Sequence, residues 1–222
     1  ALGNPNGDGL IRVDLAATIK HLAMLDVDDL SMYFYGVPFD RTCLEQLLPL
    51  VKNQLVLSNC HLTDRTIEGI YVNSALSSID LSNNHISIVP TFTDVSRLVS
   101  LDISNTEITD DQLSDVLKNA HALDSIWLSN TRLTDASLQA ISADHITFAY
   151  LLNASFTTEA LVEFMKNHLP NKMVILFATN KPERFIPHLP SDAHCNVEFI
   201  GPVKHDYPPL ASFEEPNGVV FR

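Results

Sequence analysis

Few side chains in this sequence have types and spacings that could do chemistry. There are nine histidines. His61 and His85 stand one place past matching turns in adjacent, similar segments, which would set them about 5 Å apart on neighbouring strands. Two such ligands without a third make no metal set. His194-Cys195 with His205 and Asp206 has the residue types of a zinc site without its spacing. Cys43 lies in an apolar helical stretch and Cys60 at a turn, and neither has an activating base nearby in sequence, so both read as structural thiols. Asp110-Asp111 and Glu214-Glu215 are explained by helix capping and a solvated tail. No Gly-x-Ser-x-Gly elbow occurs, and seven glycines in the chain form neither a GxGxxG nor a GxxxxGK loop. The expectation is a chain that is not an enzyme and holds no cofactor and no metal. The residues left as candidates are those that recognise other molecules, above all Trp127, the single tryptophan.

Composition narrows what is recognised. The chain has 222 residues, 45% of them apolar and 18% charged, which is a folded composition. Lys plus Arg is 14 against 27 for Asp plus Glu, a formal net charge of −13. That sign opposes a phosphate backbone or an anionic membrane, so no nucleic acid and no membrane is expected. No apolar run approaches the roughly 18 residues of a membrane helix. Residues 1–9 lack the basic and apolar regions of a signal peptide. The three cysteines, Cys43, Cys60 and Cys195, form no disulfide framework, which points to a reducing, cytoplasmic setting.

The element that must position the candidates is a repeat. Four segments read alike: Leu55–Leu62, Ile79–Ile86, Leu101–Ile108 and Ile126–Leu133. With Leu76, Leu98 and Leu123 upstream, the last three follow LxxLxLxxNxL, with Asn84, Thr106 and Thr131 at the N position and Cys60 there in the first. Weaker copies place the N position at 37, 154, 178 and 202, and the gaps along the series run from 22 to 25. Each LxL is a short strand with leucines inward. Asn59, Asn83, Asn105, Asn130 and Asn153 share the position before the N residue, and Gly36 and Gly201 occupy it elsewhere, which predicts a backbone at positive φ there. Leu62-Thr63-Asp64, Ile108-Thr109-Asp110 and Leu133-Thr134-Asp135 then supply an N-cap and an acidic first turn. Helical apolar spacing follows at Leu113, Val116, Leu117, at Leu138, Ile141, and at Leu161, Phe164, Met165. Ile88-Val89-Pro90 in the third repeat predicts a tighter, partly 3₁₀ segment instead.

These motifs, over about residues 28–202, resemble the leucine-rich repeat family. The strand–turn–Thr-Asp–helix form looks like the helical repeats of ribonuclease inhibitor and of F-box substrate receptors. The resemblance implies an α/β fold: a right-handed leucine-rich repeat solenoid, a horseshoe with a parallel concave sheet and convex helices. Residues 1–27 then hold a capping helix with Leu15, Ile19, Leu22 and Leu25 on one face, 28–202 hold seven or eight repeats, and 203–222 form a C-terminal cap or a binding tail.

In that frame one concave column is Tyr33, Val56, Asp80, Asp102, Trp127, Tyr150, Val174 and Glu198, and the next is Tyr35, Ser58, Ser82, Ser104, Ser129, Leu152, Leu176 and Ile200. The apolar residues at the end of these columns imply a frame slip or cover by the C-terminal segment, of which cover fits the architecture better. Tyr33, Tyr35, Asp80, Asp102, Trp127 and Tyr150 are the candidate partner-binding residues, because Trp and Tyr anchor interfaces and the acidic pair favours a basic surface. The family resemblance implies a monomeric, non-catalytic protein-interaction module. Its alternative is a structural or adaptor subunit of a larger assembly, such as a ubiquitin ligase or an organellar complex, in contact through its convex face or tail.

Overall fold

The computed structural model describes residues 14–24, 29–72, 75–141, 146–152, 155–168, 174–178, 197–200 and 218–221, the last three segments as backbone strands. In chain order the elements are α1 (Leu15–Leu22), β1 (Met32–Tyr35), α2 (Arg41–Leu47), β2 (Gln54–Ser58), α3 (Asp64–Ile67), β3 (Tyr71–Val72), β4 (Ser78–Asp80), β5 (Thr91–Phe92) and β6 (Ser100–Asp102). They continue as α4 (Asp110–Leu117), β7 (Ser125–Trp127), α5 (Asp135–Ala140), β8 (Phe148–Tyr150), α6 (Thr158–His168), β9 (Val174–Ala178), β10 (Val197–Ile200) and β11 (Gly218–Phe221).

The alternation of strand and helix produces the α/β repeat solenoid. Strands β1, β2, β4, β6, β7, β8, β9 and β10 pair in parallel, each beside the strand of the next repeat. From β1 to β8 each strand of this stack buries its two apolar positions and turns the residue between them to the other face: Leu55 and Leu57 around Val56, Ile79 and Leu81 around Asp80, Ile126 and Leu128 around Trp127. Behind the sheet α1 packs on α2, α2 on α3, α4 on α5 and α5 on α6. At the first repeat, Asp14 caps α1 by accepting from the Ala17 N–H at 3.0 Å, and Ile19 and Leu22 enter the core. Residues 25–28, including Leu25, lie outside the described residues. The antiparallel strand β11 completes the sheet on the outer side of β1, at the edge made by the first repeat. The rest of 201–222 lies outside the described residues.

The turn after each strand is where the sequence pattern acts. Asn59, Asn83, Asn105 and Asn130 have φ between 53° and 58°, and Gly36 has φ 65° in the same frame position. Asn153 and Gly201 lie outside the described residues. His61 shares the left-handed conformation, at φ 56°, although no asparagine or glycine marks it. Asn105 donates to the Asn83 carboxamide at 2.8 Å and Asn130 to that of Asn105 at 2.7 Å, so the turn residues form a ladder from repeat to repeat. Asn84 is buried below it. Its Oδ1 accepts from the N–H groups of Cys60 and Leu62, and its Nδ2 lies within 3.0 Å of the carbonyls of Leu57, Leu81 and Ser82. Thr106 and Thr131 each donate only to the carbonyl three residues back.

The Thr-Asp pairs stand at the helix starts, Thr at the N-cap and Asp in the first turn, and they link repeats. Asp64 accepts from Ser87 N–H and Oγ, Asp110 from Thr134 N–H and Oγ1 and from Ser137 Oγ, and Asp135 from Thr157 N–H and Oγ1. Burial alone would raise the Asp64 and Asp110 carboxyls, but these donors hold both below the usual carboxylate range.

Two expectations are corrected. The third repeat has no 3₁₀ turn in its convex segment. Pro90 cannot donate and biases its predecessor toward extended backbone, so Thr91 and Thr93 donate instead to the carbonyls of Ile70 and Val72. The result is a small parallel pair, β3 with β5. At β9 the frame is displaced by two residues: Ile175 lies opposite Ala149 and Leu176 opposite Tyr150, so Leu176 rather than Val174 continues the central column, with Glu198 beside it.

Leu101→Ala, at a fully buried position, should destabilise the fold by about 2–5 kcal/mol, and an unchanged melting midpoint would contradict this register. Asn84→Ala strands several buried backbone groups at once and should cost about 3 kcal/mol, measurable by urea unfolding.

Candidate functional site

The helix-free face is built from three columns of side chains. The central one holds Tyr33, Val56, Asp80, Asp102, Trp127 and Tyr150, each directly opposite the next across paired strands. Upstream of it runs Gln54, Ser78, Ser100, Ser125 and Phe148. Downstream runs Tyr35, Ser58, Ser82, Ser104, Ser129 and Leu152.

The sheet register divides the six candidates into two groups. Asp80, Asp102, Trp127 and Tyr150 form a continuous run on β4, β6, β7 and β8. Tyr33 and Tyr35 stand on β1, separated from Asp80 by Val56 on β2. All but Asp102 are half-buried. Tyr33 donates its hydroxyl to the Gln54 carboxamide, which fixes that ring over β2.

The aromatic end is larger than the repeat frame indicates. Phe148 stacks on Tyr150 with centroids 6.2 Å apart and lies 5.4 Å from Trp127. Phe148 is missed by the LxL pattern because it sits one place before it. Extending the frame upstream, where serine is the usual residue, reveals the exception. The three rings form a half-buried shelf.

The serines beside the central column leave no open room. Ser58, Ser82, Ser104 and Ser129 are buried. Ser58 and Ser82 share a hydrogen bond of 3.0 Å, and the Ser104 and Ser129 hydroxyls accept from the next strand's N–H groups at 3.3 and 3.1 Å. They stitch the strands into a closed floor. Leu152 is buried as well. The side chains of Val174, Leu176, Glu198 and Ile200 lie outside the described residues.

Asp80 and Asp102 face each other across β4 and β6. Asp102 is only 6% exposed. Each accepts a 2.8 Å hydrogen bond from the N–H two residues on, Ser82 or Ser104. Among the described residues no lysine, arginine or histidine stands in the three columns, and neither carboxylate is in an ion pair. Burial pushes the Asp102 carboxyl up, and the Asp80 charge adds to it, reaching about 8 against the pull of the Ser104 hydrogen bonds. Burial raises Asp80 too, against the Ser82 hydrogen bonds. The pair therefore retains a proton near neutrality, and its charge there is smaller than two formal carboxylates suggest.

The other reactive side chains lie apart from this face. His61 and His85 are exposed at the turns. Among the described residues no three His, Cys, Asp or Glu side chains gather as a metal set would require. Residues 194, 195, 205, 206, 214 and 215 lie outside the described residues. Burial, then Asp40, raises the Cys43 thiol, which opposes thiolate chemistry there. No described helix is long and apolar enough to cross a membrane.

Stability should report the buried pair. A carboxyl raised in the folded state contributes stability below its unfolded value near 4 and loses it as pH rises through about 8. Asp102→Asn should therefore stabilise the fold at pH 9 by on the order of 2 kcal/mol, read as a higher melting midpoint, and give little or no gain at pH 4. A gain independent of pH would show that the carboxyl titrates normally.

Comparison with known families gives one match: the Leucine Rich Repeat model covers residues 75–94, the segment that contains β4 and Asn84. No curated protein matches the chain. With the stacked parallel strands and their repeating turns, the match supports a leucine-rich repeat protein, a class of repeat that generally mediates protein–protein interaction.

Proposed function

We propose that this chain is a non-catalytic protein-binding module that takes its partner on the helix-free, concave face. The observation that carries this reading is the Trp127–Phe148–Tyr150 shelf, half-exposed to solvent, with Phe148 against both other rings, beside two carboxylates that have no cation among the described residues. Large aromatic side chains in such a setting lose little entropy on binding and bury much area. Asp80 and Asp102 would orient a partner with a basic surface, and Tyr33 and Tyr35 would contact its far side. A net charge of −13 favours the same kind of partner and disfavours nucleic acid and anionic membrane. The sparse cysteines fit a reducing, cytoplasmic setting, and the reading takes the chain as a monomer without its partner. Similarity to ribonuclease-inhibitor and F-box-type repeats belongs to this reading, carried by the Thr-Asp helix starts at Thr109 and Thr134.

The test is affinity capture from native lysate with three proteins of matched melting midpoint: wild type, Trp127→Ala/Tyr150→Ala, and Tyr71→Ala. Tyr71 is 67% exposed on β3, in the convex segment. A protein lost only with the Trp127/Tyr150 variant is expected. Loss only with Tyr71→Ala would move the interface to the convex side and favour a structural or adaptor subunit.

A further inference from the structure

We infer that the floor of the concave face receives one arginine side chain of the partner, its guanidinium bridging Asp80 and Asp102 and lying against Trp127; this rests on the concave-face reading above.

The floor is lined by small residues where the carboxylates stand. Ser78 and Ser100 flank them upstream, and Ser82 and Ser104 downstream. Bulk returns at the sides, with Tyr33 over β2 and Trp127 next to Asp102. From Tyr33 to Trp127 is four strand spacings, roughly 19 Å, a trough wide enough for a loop or extended segment. Asp102 is nine-tenths buried in this trough, opposite a second carboxylate, with no cation from the described chain. Such an arrangement is costly for the chain alone and is relieved by a cation from outside. A guanidinium fits better than an ammonium. It is planar, its fork of N–H donors reaches two carboxylates at once, and it stacks on an indole face. Trp127 lies directly opposite Asp102 across β6 and β7, which places that indole about one strand spacing from the carboxylate.

Capture of the cation also expels the proton the pair holds. The other titratable groups near it are Tyr33 and Tyr35 on β1, Tyr150 on β8, and Asp124 just ahead of β7; none can carry a positive charge. Binding should then strengthen as pH rises from 6 to 8.5.

Trp127 is the sole tryptophan, so its fluorescence reports this site alone. The probe is the capped tripeptide acetyl-Gly-Arg-Gly-amide, titrated at pH 8.5 beside its citrulline and lysine counterparts. The expected result is a saturable change with the arginine peptide, at least about tenfold weaker with the other two, and weaker again by about tenfold for arginine at pH 6. Asp80→Asn/Asp102→Asn should abolish it with the fold intact by melting. Asp111→Asn/Glu163→Gln, which removes the same charge from helices α4 and α6, should not. Equal loss in both variants, or an equal response to lysine, would overturn the proposal in favour of general attraction to an acidic chain. An inert arginine peptide, alongside lysate capture that still depends on Trp127 and Tyr150, would overturn this inference while leaving the concave-face reading in place.

Discussion

The structure depends on how each strand leaves the sheet. The backbone must enter the left-handed region one residue before the N position, and the polar groups it exposes must be satisfied within the stack. Asparagine meets the first demand at Asn59, Asn83, Asn105 and Asn130. The second is met in two layers, the carboxamide ladder from Asn83 to Asn130 and the buried Asn84 beneath it. Because every turn closes on the previous one, the strands stack in fixed register. That register sets Asp80 opposite Asp102 and Asp102 opposite Trp127.

The convex side meets the same need by other means. Asp110 and Asp135 each start a helix and also accept from the N-cap residue of the following repeat. Each carboxylate thereby ties the start of one helix to the start of the next. Where this device is interrupted, at Pro90, the chain substitutes a strand pair for a helix. The solenoid tolerates the exchange because the leucine core beneath it is unchanged: Leu76, Ile79, Leu81 and Ile86 are all buried.

Against this saturation of polar groups, Asp80 and Asp102 are an exception. Elsewhere on the described chain the carboxylates are exposed, stand at helix starts, join a surface ion pair such as Arg132–Glu107 or, like Asp124, accept from neighbouring hydroxyls. Here a nearly buried carboxyl faces a like one and is held only by the serine two residues on in each strand, with no cation among the described residues. Local stability argues against that choice, and sites that depart from it are where recognition chemistry tends to be found. The adjacent rings carry the same message, since Phe148 replaces the serine that its column holds in the three preceding repeats.

The sequence by itself determined the repeat, the inward leucines, the positive-φ turns and the column that runs from Tyr33 to Tyr150. All of these follow from local periodicity, and a period of two along the strand leaves no ambiguity about faces. Periodicity is blind to shifts that conserve the face, so only the tertiary structure decided that β9 pairs two residues further on, with Leu176 beside Tyr150. It is equally blind to contacts between repeats. Local pattern marks Asp110 as a cap but not as a partner of Thr134. It marks Ser104 and Ser129 as small and outward, whereas stacking buries them as hydrogen-bond bridges. It lists two aspartates a repeat apart, and only their burial side by side raises both carboxyls. Charge state and accessibility are properties of what surrounds a side chain, and for this chain the surroundings come from the neighbouring repeat.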